Sequence, residues 1–337
     1  MRVDLFDFDL PRDLIAQRPA SPRDSARLLD VAPDGLHDRA VSDLPRLLRP
    51  GDLLVFNDTK VIPARLDGRR PSGGRVEALL IRDLGNGSWL AFAKPAKRLK
   101  AGDVLTFAAD LVARVASKRN DGALELAFDK SRAEFLRLLE GAGSMPIPPY
   151  IRGGVADRRD SADYQTMFAR LEGSVAAPTA GLHFTPQLMA SLAEAGIKSA
   201  SVTLHVGPGT FQPVRVLDTE DHEMHTEWGE VPPVTADAIA QAERVVCVGT
   251  TALRLLECVA HQGKMRAWAG ETDIFITPGF EFRAVDLLLT NFHLPRSTLF
   301  MLAAAFAGLE RIKAAYAHAV KERYRFYSYG DCCLLRR

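Results

Sequence analysis

Short apolar runs bounded by turn residues recur through the first half of the chain. The run Asp52–Asn57 is apolar and lies between Gly51 and Asp58, which predicts a buried strand. Further strand-like segments follow at 76–82, 89–94, 104–108, 111–117 and 123–128. The last two flank Asn-Asp-Gly at 120–122, a sequence that supplies the positive φ of a tight hairpin. Strands at this spacing, without helical patterns between them, predict a small antiparallel barrel of about 90 residues.

Beyond residue 170 the pattern changes to strands that alternate with helices. The predicted elements are a helix capped by Thr185 and ended by Gly196, a strand over 199–206, a helix capped by Thr235, a strand over 245–248 that leads into another helix, and a helix capped by Ser297 and interrupted at Gly308. Proline in a first turn and hydroxyl residues before it are typical helix starts. This order predicts a sheet covered by helices.

The two patterns together predict a discontinuous architecture. We expect an α/β body, with a mixed sheet covered by helices, to consist of residues 1–64 and 151–337. A small antiparallel β-barrel domain of residues 65–150 is expected to be inserted into it. The four cysteines show no CxxC spacing, so neither a disulfide framework nor a thiolate zinc site is indicated.

Net charge excludes some classes of protein. The chain has 43 Lys and Arg against 42 Asp and Glu, a net charge of +1, which excludes a wholly basic nucleic-acid coat and a wholly acidic solvating protein.

Neither a signal peptide nor a membrane span is indicated. Asp4, Asp7 and Asp9 stand where a signal peptide needs a basic end and an apolar run, and no stretch approaches the ~20 apolar residues of a membrane span. A cytoplasmic protein without membrane contact is expected.

Local charge is far from even. Residues 60–100 contain ten Lys and Arg against three acidic residues, a net charge of +7, and residues 216–243 contain eight acidic residues and no Lys or Arg. The basic stretch predicts contacts with a phosphate backbone, although such a run is also typical of a solvated barrel face. The candidate RNA-binding residues are Lys94, Lys97, Arg98 and Lys100.

Nucleotide-binding signatures are missing, since the chain contains neither GxGxxG after a strand nor GxxxxGK[ST]. His222, His225 and Glu227 place three potential metal ligands within six residues. The histidines are three apart and not four as in HExxH, so a metal site, an acid/base cluster and structural histidines all stay open.

Polar turns follow several predicted strands, at 177–183, 203–210 and 290–298. Ligands of α/β sheets bind at loops beyond the strand ends. The turn Gly249-Thr250-Thr251 would also direct backbone N–H groups at an anion such as a carboxylate.

Long blocks of the sequence carry a family resemblance that runs nearly from end to end. They include Phe56-Asn-Asp-Thr-Lys-Val-Ile-Pro-Ala-Arg65 and Asn291-Phe-His-Leu-Pro-Arg-Ser297, with others at 8–11, 15–19, 94–98, 146–151, 173–185, 205–214, 222–227, 272–276 and 327–331. On these blocks the chain resembles the QueA family, the S-adenosylmethionine:tRNA ribosyltransferase-isomerases of queuosine biosynthesis. Ala252, Leu255, Phe280 and Cys332-Cys333 depart from the residues expected there.

The resemblance implies an enzyme that transfers and isomerises the ribosyl group of S-adenosylmethionine. The acceptor would be 7-aminomethyl-7-deazaguanine at the wobble position of tRNA, and the products epoxyqueuosine-tRNA, adenine and methionine. S-adenosylmethionine is then a co-substrate, with no bound prosthetic group and no metal, and a monomer is expected. The family is also known for an inserted β-barrel.

Such chemistry needs a base, an acid for adenine and polar groups that hold the sugar. The candidate acid/base residues are His183, His205, His225 and His293, with Asp58 as a carboxylate alternative. The candidate substrate-binding residues are Thr59, Thr179, Gly207, Thr210, Phe211, Glu227, Thr250, Thr251, Asn291 and Ser297. Glu227 is expected to attract the sulfonium or the substrate amine.

Three other functions stay open at this point. An RNA methyltransferase would share the donor, but the usual glycine-rich loop is absent. A metal-dependent nucleoside hydrolase would use His222, His225 and Glu227, and a metal analysis would identify it. A non-catalytic RNA-binding module would explain the basic stretch and leave the polar turns without a role.

Overall fold

The computed structural model describes residues 1–119, 122–207 and 214–337. The chain divides into two compact units. The first consists of Met1–Thr59, Gln165–Leu171 and Pro178–Arg337, and the second of Lys60–Tyr164 and Glu172–Ala177. The domain boundaries expected after residues 64 and 150 stay predictions.

The first unit is built on a nine-stranded mixed sheet. Its strands, from one edge to the other, are β16 (Trp268–Thr272), β14 (Glu227–Val231), β13 (Lys198–Leu204), β3 (Asp52–Asn57), β15 (Arg244–Val248), β17 (Leu287–Asn291), β18 (Cys332–Arg336), β1 (Arg27–Ala32) and β2 (Gly35–Ala40). The four strands β13, β3, β15 and β17 run parallel to one another. All six residues of β3 are buried, as expected for a parallel strand that is covered on both faces.

The helices of this unit are α1 (Leu44–Leu47), α4 (Pro186–Glu194), α5 (Pro233–Gln241), α6 (Thr250–His261), α7 (Thr298–Ala307) and α8 (Leu309–Lys321). One face of the sheet packs against α4, where Leu54 and Phe56 join Leu188 and Leu192 in a single apolar cluster. Burying such side chains contributes roughly 1.5–3 kcal/mol each. The sheet therefore has a helix-covered core.

Two of the three predicted helix caps are confirmed. The hydroxyl of Thr185 accepts a hydrogen bond from the backbone N–H of Leu188, and the hydroxyl of Ser297 accepts one from Phe300. Gly308 separates α7 from α8 with φ +91°. The cap predicted at Thr235 is wrong, because α5 begins at Pro233 and Thr235 donates its hydroxyl hydrogen to the carbonyl of Ser201 at 2.7 Å.

Six antiparallel strands of the second unit close into a barrel. They are β5 (Arg65–Arg69), β6 (Arg75–Gly85), β7 (Ser88–Lys94), β10 (Leu124–Phe128), β9 (Val112–Lys118) and β8 (Val104–Phe107), and β8 pairs back onto β5. A short strand, β11 (Gly143–Ser144), pairs antiparallel with the start of β5. The predicted hairpin pairs β9 with β10, but Asn120 and Asp121 of its turn lie outside the described residues. Gly122 has φ +86°.

A helix that was not predicted packs into the barrel core. It is α2 (Arg132–Ala142), capped by Ser131. Its Phe135 lies 5.4 Å from Trp89 and 4.6 Å from Phe128 between ring centroids. Its signals are present in the sequence, since Ser131 precedes the helix and Phe135, Leu136, Leu138 and Leu139 are spaced as on one helix face.

The remaining short elements are α3 (Asp160–Asp163) and a two-stranded pairing of β4 (Thr59–Val61) with β12 (Leu171–Ser174). The predicted fold class, a mixed α/β sheet covered by helices together with a small antiparallel barrel, is confirmed. Among the residues that the structure describes, no helix is long and apolar enough to cross a bilayer.

Candidate active site

Polar residues gather at one edge of the nine-stranded sheet because four parallel strands end there. Asn57 of β3 pairs with Val202 of β13, and Val248 of β15 pairs with Leu289 of β17. The residues that follow these positions therefore lie at the carboxyl edge, where α/β sheets bind their ligands. They include Asp58, Thr59, His205, Thr250 and His293.

Asn57 connects three of the elements at this edge. Its Nδ2 donates to the carbonyl of Leu204 at 2.9 Å and to the hydroxyl of Thr251 at 3.3 Å. Its Oδ1 accepts from the backbone N–H groups of Leu204 at 3.0 Å and Thr59 at 3.1 Å. One buried amide thus ties the end of β13 and the start of α6 to β3.

Asp58 is buried, and both of its carboxylate oxygens accept hydrogen bonds. Oδ2 accepts from Nε and Nη2 of Arg170 at 3.0 and 2.7 Å, and Oδ1 accepts from the hydroxyl of Thr203 at 2.6 Å. Its backbone carbonyl accepts from the N–H of Arg170 at 2.8 Å. These bonds hold segment 165–171 against the end of β3.

His205 lies half-buried immediately after β13. Its Nδ1 is 2.8 Å from the hydroxyl of Thr59, and its ring stacks on Trp228 with 5.4 Å between centroids and an angle of 23°. The hydroxyl of Thr59 can donate to Nδ1 or accept from it. Thr59 and Trp228 thereby fix the position and the plane of the imidazole.

Glu227 and Arg254 form a buried ion pair, with 6% and 3% of their side chains exposed. Nη1 of Arg254 donates to Oε2 of Glu227, and the backbone N–H of Gly207 donates to Oε1 at 3.1 Å. Nε of Arg254 donates to the carbonyl of Ile274 at 3.2 Å. Nη2 of Arg254 has no hydrogen-bond partner among the described residues.

His183 ends a buried 3-10 helix, Thr179–His183, whose Ala180 lies against Gly249 at the start of α6. Burial lowers the pKa of His183 to about 4, against a smaller opposing effect of Asp331. The imidazole is therefore neutral at pH 7. Within the described part of the chain its Nε2 has no hydrogen-bond partner.

The segment after β17 is bonded mainly to itself and to nearby helices. Nε2 of His293 is 2.8 Å from the hydroxyl of Thr290, and burial lowers the pKa of His293. Nδ2 of Asn291 donates to the carbonyl of Tyr327 at 3.0 Å. Besides capping α7, the hydroxyl of Ser297 donates to the carbonyl of Leu294 at 2.7 Å.

His222 and His225 precede β14. His222 packs edge-on against Phe275 at 5.2 Å, and its pKa is lowered by burial and by the neighbouring charge of His225. His225 is exposed. In the described ranges no group of three or more His, Cys, Asp or Glu side chains is arranged to hold a metal ion, and His222, His225 and Glu227 do not form one.

The basic candidates belong to the second unit. Lys94 ends β7, Lys97 and Arg98 lie on the short 3-10 helix Ala96–Arg98, and Lys100 follows it. All four side chains are exposed. They are available to a solvent-borne polyanion.

The structure brings some of the predicted site residues together. Thr59 contacts His205, Gly207 contacts Glu227, and Thr251 is joined through Asn57 to the end of β13. Thr179 and Thr250 begin neighbouring elements, since Ala180 lies against Gly249. Thr210 and Phe211 lie outside the described residues.

Sequence reasoning missed several side chains that touch these candidates, namely Asn57, Thr203, Arg170, Trp228 and Arg254. Thr203 lies within the polar turn 203–210, and Asn57 ends the strand predicted over 52–57. Arg254 carried a signal of its own, since it is a lone cation on the apolar part of α6. No feature of the sequence pattern distinguished Arg170.

Comparison with known proteins gives consistent matches along the whole chain. The model of a family described as queuosine biosynthesis protein matches residues 3–335. An S-adenosylmethionine:tRNA ribosyltransferase-isomerase from a Methylobacterium species is 58% identical over 358 residues, which cover 100% of this chain and 99% of that protein. One of the same name from Rhodospirillum rubrum is 58% identical over 340 residues and covers 99% and 98%.

A solved structure is similar as well. It is the crystal structure of an S-adenosylmethionine tRNA ribosyltransferase from Thermotoga maritima, 37% identical, with a TM-score of 0.56. The match covers 98% of this chain and 99% of that one.

Proposed function

The chain belongs to the queuosine biosynthesis protein family, and on that premise we propose that it transfers and isomerises the ribosyl group of S-adenosylmethionine onto tRNA. It is an enzyme of the S-adenosylmethionine:tRNA ribosyltransferase-isomerase type. The proposed acceptor is 7-aminomethyl-7-deazaguanine at the wobble position. The proposed products are epoxyqueuosine-tRNA, adenine and methionine, formed in the cytoplasm by a monomer.

One observation carries the proposal. Relatives that bear this enzyme name are 55–58% identical to the chain over nearly its full length. The matches cover 100% of the chain and therefore include both of its units. The geometry described above supports the type of chemistry, because it concentrates imidazole, hydroxyl and carboxylate groups at the sheet edge where ligands bind.

The donor dictates what the site has to do. A sulfonium acidifies the adjacent 5′ carbon, so that a positioned base can remove a proton there. Adenine then leaves C1′ as the sugar ring opens and the aminomethyl nitrogen of the acceptor adds there, the electron pair on C5′ forms a bond to C1′, and the freed ring oxygen displaces methionine from C5′ to close the epoxide. A base, an acid for adenine and groups that hold the open sugar are required.

Among the candidate residues we assign proton transfer to His205. Its Nδ1 is anchored on Thr59 and its ring is fixed by Trp228, while the residue stays half-buried. An oriented imidazole of this kind is the usual general base or acid. Asp58 is assigned a positioning role, since Arg170 and Thr203 already occupy its oxygens.

The other candidates are assigned to binding. Thr250, Thr251 and Asn291 at the strand ends are proposed to face the sugar, with His183 as a neutral hydrogen-bonding group. Lys94, Lys97, Arg98 and Lys100 are proposed to contact tRNA phosphates. His225 and His293 remain secondary candidates for proton transfer.

The test follows adenine release and tRNA mass together. Purified protein is incubated with S-adenosylmethionine and tRNA that carries 7-aminomethyl-7-deazaguanine, in the presence of a chelator. We expect one adenine per modified tRNA and a ribosyl-sized gain in mass. S-adenosylhomocysteine with a methyl-sized gain would identify a methyltransferase, and activity that requires added metal would favour a hydrolase. Unmodified tRNA serves as the control and should release no adenine.

A further inference from the structure

Arg254 is a buried cation whose hydrogen-bonding capacity is only partly used. It lies one turn into α6, with 3% of its side chain exposed. Nη1 donates to Glu227 and Nε donates to the carbonyl of Ile274. Nη2, which carries two N–H groups, has no hydrogen-bond partner among the described residues.

Other arginine–carboxylate pairs of the same unit are arranged differently. Arg244 donates from Nε and Nη2 to the two oxygens of Asp52 at 2.8 and 2.6 Å. Arg336 binds both oxygens of Asp30 in the same way, at 2.9 and 3.2 Å. These are closed two-point pairs, the geometry in which an arginine and a carboxylate satisfy each other. Only Nη1 of Arg254 donates to Glu227, and Nη2 has no acceptor among the described residues.

A buried donor without a partner is unfavourable by roughly 1–3 kcal/mol, and more when it is charged. An arrangement of this kind is expected where a ligand supplies the missing acceptor. The planar guanidinium fork matches a carboxylate in particular. The position of Nη2 therefore favours an anionic oxygen ligand.

Glu227 makes the pair suited to more than a simple anion. Its oxygens accept from Arg254 and from the N–H of Gly207, but two carboxylate oxygens have about four acceptor positions. The capacity left can accept from an ammonium group. A cation and an anion side by side, both desolvated, complement a ligand that itself carries a carboxylate next to an ammonium.

We propose that Arg254 and Glu227 bind the α-amino-acid end of S-adenosylmethionine. The carboxylate lies on Nη2 of Arg254 and the ammonium on Glu227. The assignment rests on the proposed function, which supplies the ligand. It also agrees with position, because Gly207 follows His205 by two residues and Arg254 shares α6 with Thr250 and Thr251.

The experiment first compares the affinities of three ligands for the wild-type enzyme. Affinities of S-adenosylmethionine, of its decarboxylated analogue and of an analogue without the amino group are measured by calorimetry, with no tRNA present. We expect the loss of the carboxylate to weaken binding about 10- to 100-fold, the range for one charge-assisted hydrogen-bonded contact. Equal affinities of S-adenosylmethionine and the decarboxylated analogue would overturn the proposal.

Substitutions show which side chain discriminates between the ligands. Arg254→Lys keeps the charge opposite Glu227 and loses the fork, and it is expected to bind both ligands with similar, weak affinity. Glu227→Gln should reduce discrimination against the analogue without the amino group. Arg244→Lys is the control, since it changes another ion-paired arginine of the same unit, at the start of β15, and it should keep the full preference for S-adenosylmethionine over the decarboxylated analogue. If Arg254→Lys still binds S-adenosylmethionine more tightly than the decarboxylated analogue by the wild-type factor, the assignment is wrong.

The design separates this inference from the proposed function. Failure of the wild-type enzyme to release adenine with modified tRNA would refute the transferase activity, whereas the binding measurements need no turnover. If Arg254→Lys does not fold, the wild-type ligand series and Glu227→Gln still decide.

Discussion

Single polar side chains at the ends of β3 and β13 determine much of the local geometry. Asn57 is satisfied by four hydrogen bonds to the end of β13, to α6 and to its own turn. A buried amide with this many partners is costly to replace, because each partner left unpaired loses roughly 1–3 kcal/mol. We regard Asn57 as a positioning residue for the neighbouring Thr59 and His205.

Replacement of His205 tests the assigned proton transfer. His205→Gln is expected to lower kcat for adenine release by about 10²- to 10⁴-fold, the usual contribution of a general base or acid. The measurement is the rate at saturating S-adenosylmethionine and tRNA. His261→Gln is the control, because His261 ends α6 and bonds the carbonyl of Glu281. Full turnover by His205→Gln would refute the role.

Thr59 should act through His205. Thr59→Val removes the hydroxyl that bonds Nδ1 and is expected to lower kcat more than it raises the KM for S-adenosylmethionine. Thr59→Ser keeps a hydroxyl and should restore most of the rate. A pH–rate profile that is identical in wild type and Thr59→Val would contradict this coupling.

The buried His183 predicts a dependence of stability on pH. Its pKa is about 4 in the folded protein and near the ordinary 6.5 when unfolded, so between these values the unfolded chain binds more protons. The free energy of unfolding should be highest above pH 6.5 and fall as the pH drops toward 4. At about 1.4 kcal/mol per pKa unit, His183 alone accounts for about 3 kcal/mol of the loss.

Urea unfolding of wild type and His183→Gln at several pH values between 4 and 7 measures this effect. The variant should show a clearly shallower decline. Leu188→Ala removes a buried apolar side chain of α4 and no titratable group, so it should lower stability equally at each pH. An unchanged slope in His183→Gln would mean that the folded protein does not exclude the proton.

At the level of elements, the residue at which a helix begins was more predictable than the contacts that its side chains make. Hydroxyl caps at Thr185 and Ser297 and the break at Gly308 follow from local rules. Thr235 satisfies the same rule but sits inside α5, since two prolines at 232 and 233 already provide a first turn that lacks N–H groups. Its hydroxyl bonds to Ser201, a partner in a different strand.

The caps themselves give a test at this scale. Ser297→Ala and Thr185→Ala should each lower the free energy of unfolding by about 1 kcal/mol. Because the hydroxyl of Ser297 is bonded within its own segment, we expect the KM for S-adenosylmethionine to stay unchanged in Ser297→Ala. Ser191→Ala, at an exposed position of α4, is the control and should be neutral. A marked rise in KM would favour substrate binding by Ser297.

At the scale of the whole molecule, uneven charge is the property most relevant to a polyanionic substrate. The exposed basic residues Lys97, Arg98 and Lys100 lie on the barrel unit and the acidic run 216–243 on the α/β unit. Each phosphate contact contributes about 0.7–0.9 to the slope of log affinity against log salt. Basic residues that contact RNA therefore leave a measurable signature.

Neutralising Lys97, Arg98 and Lys100 to Gln should raise the apparent KM for tRNA and reduce that slope by about 2 to 3. The KM for S-adenosylmethionine should not change. The matched control changes three exposed lysines of the α/β unit, Lys198, Lys264 and Lys321, to Gln. An unaltered salt slope in the first variant, or an equal loss in the control, would assign tRNA binding to other residues.

The sequence by itself determined many of the elements and the change from a strand-rich pattern to alternating strands and helices. Apolar runs, turn residues and caps are local signals, and they predicted β3, β15, α7 and most barrel strands close to their observed bounds. The polar turns after strands were likewise visible, because a parallel sheet brings strand ends to one edge whatever its exact register.

Only the tertiary structure decided which side chains meet. Asp58 and Arg170 are 112 residues apart, and Glu227 and Arg254 lie on a strand and a helix that the sequence does not pair. Helix α2 was missed although Ser131 and the apolar spacing over 135–139 are local signals, and the structure shows that it packs on Trp89 and Phe128 of distant strands. Long-range contacts depend on strand order and register, which local patterns do not encode. The state of each candidate therefore became visible only in the folded protein. Examples are the carboxylate of Asp58, which is already hydrogen-bonded, and the neutral imidazole of His183.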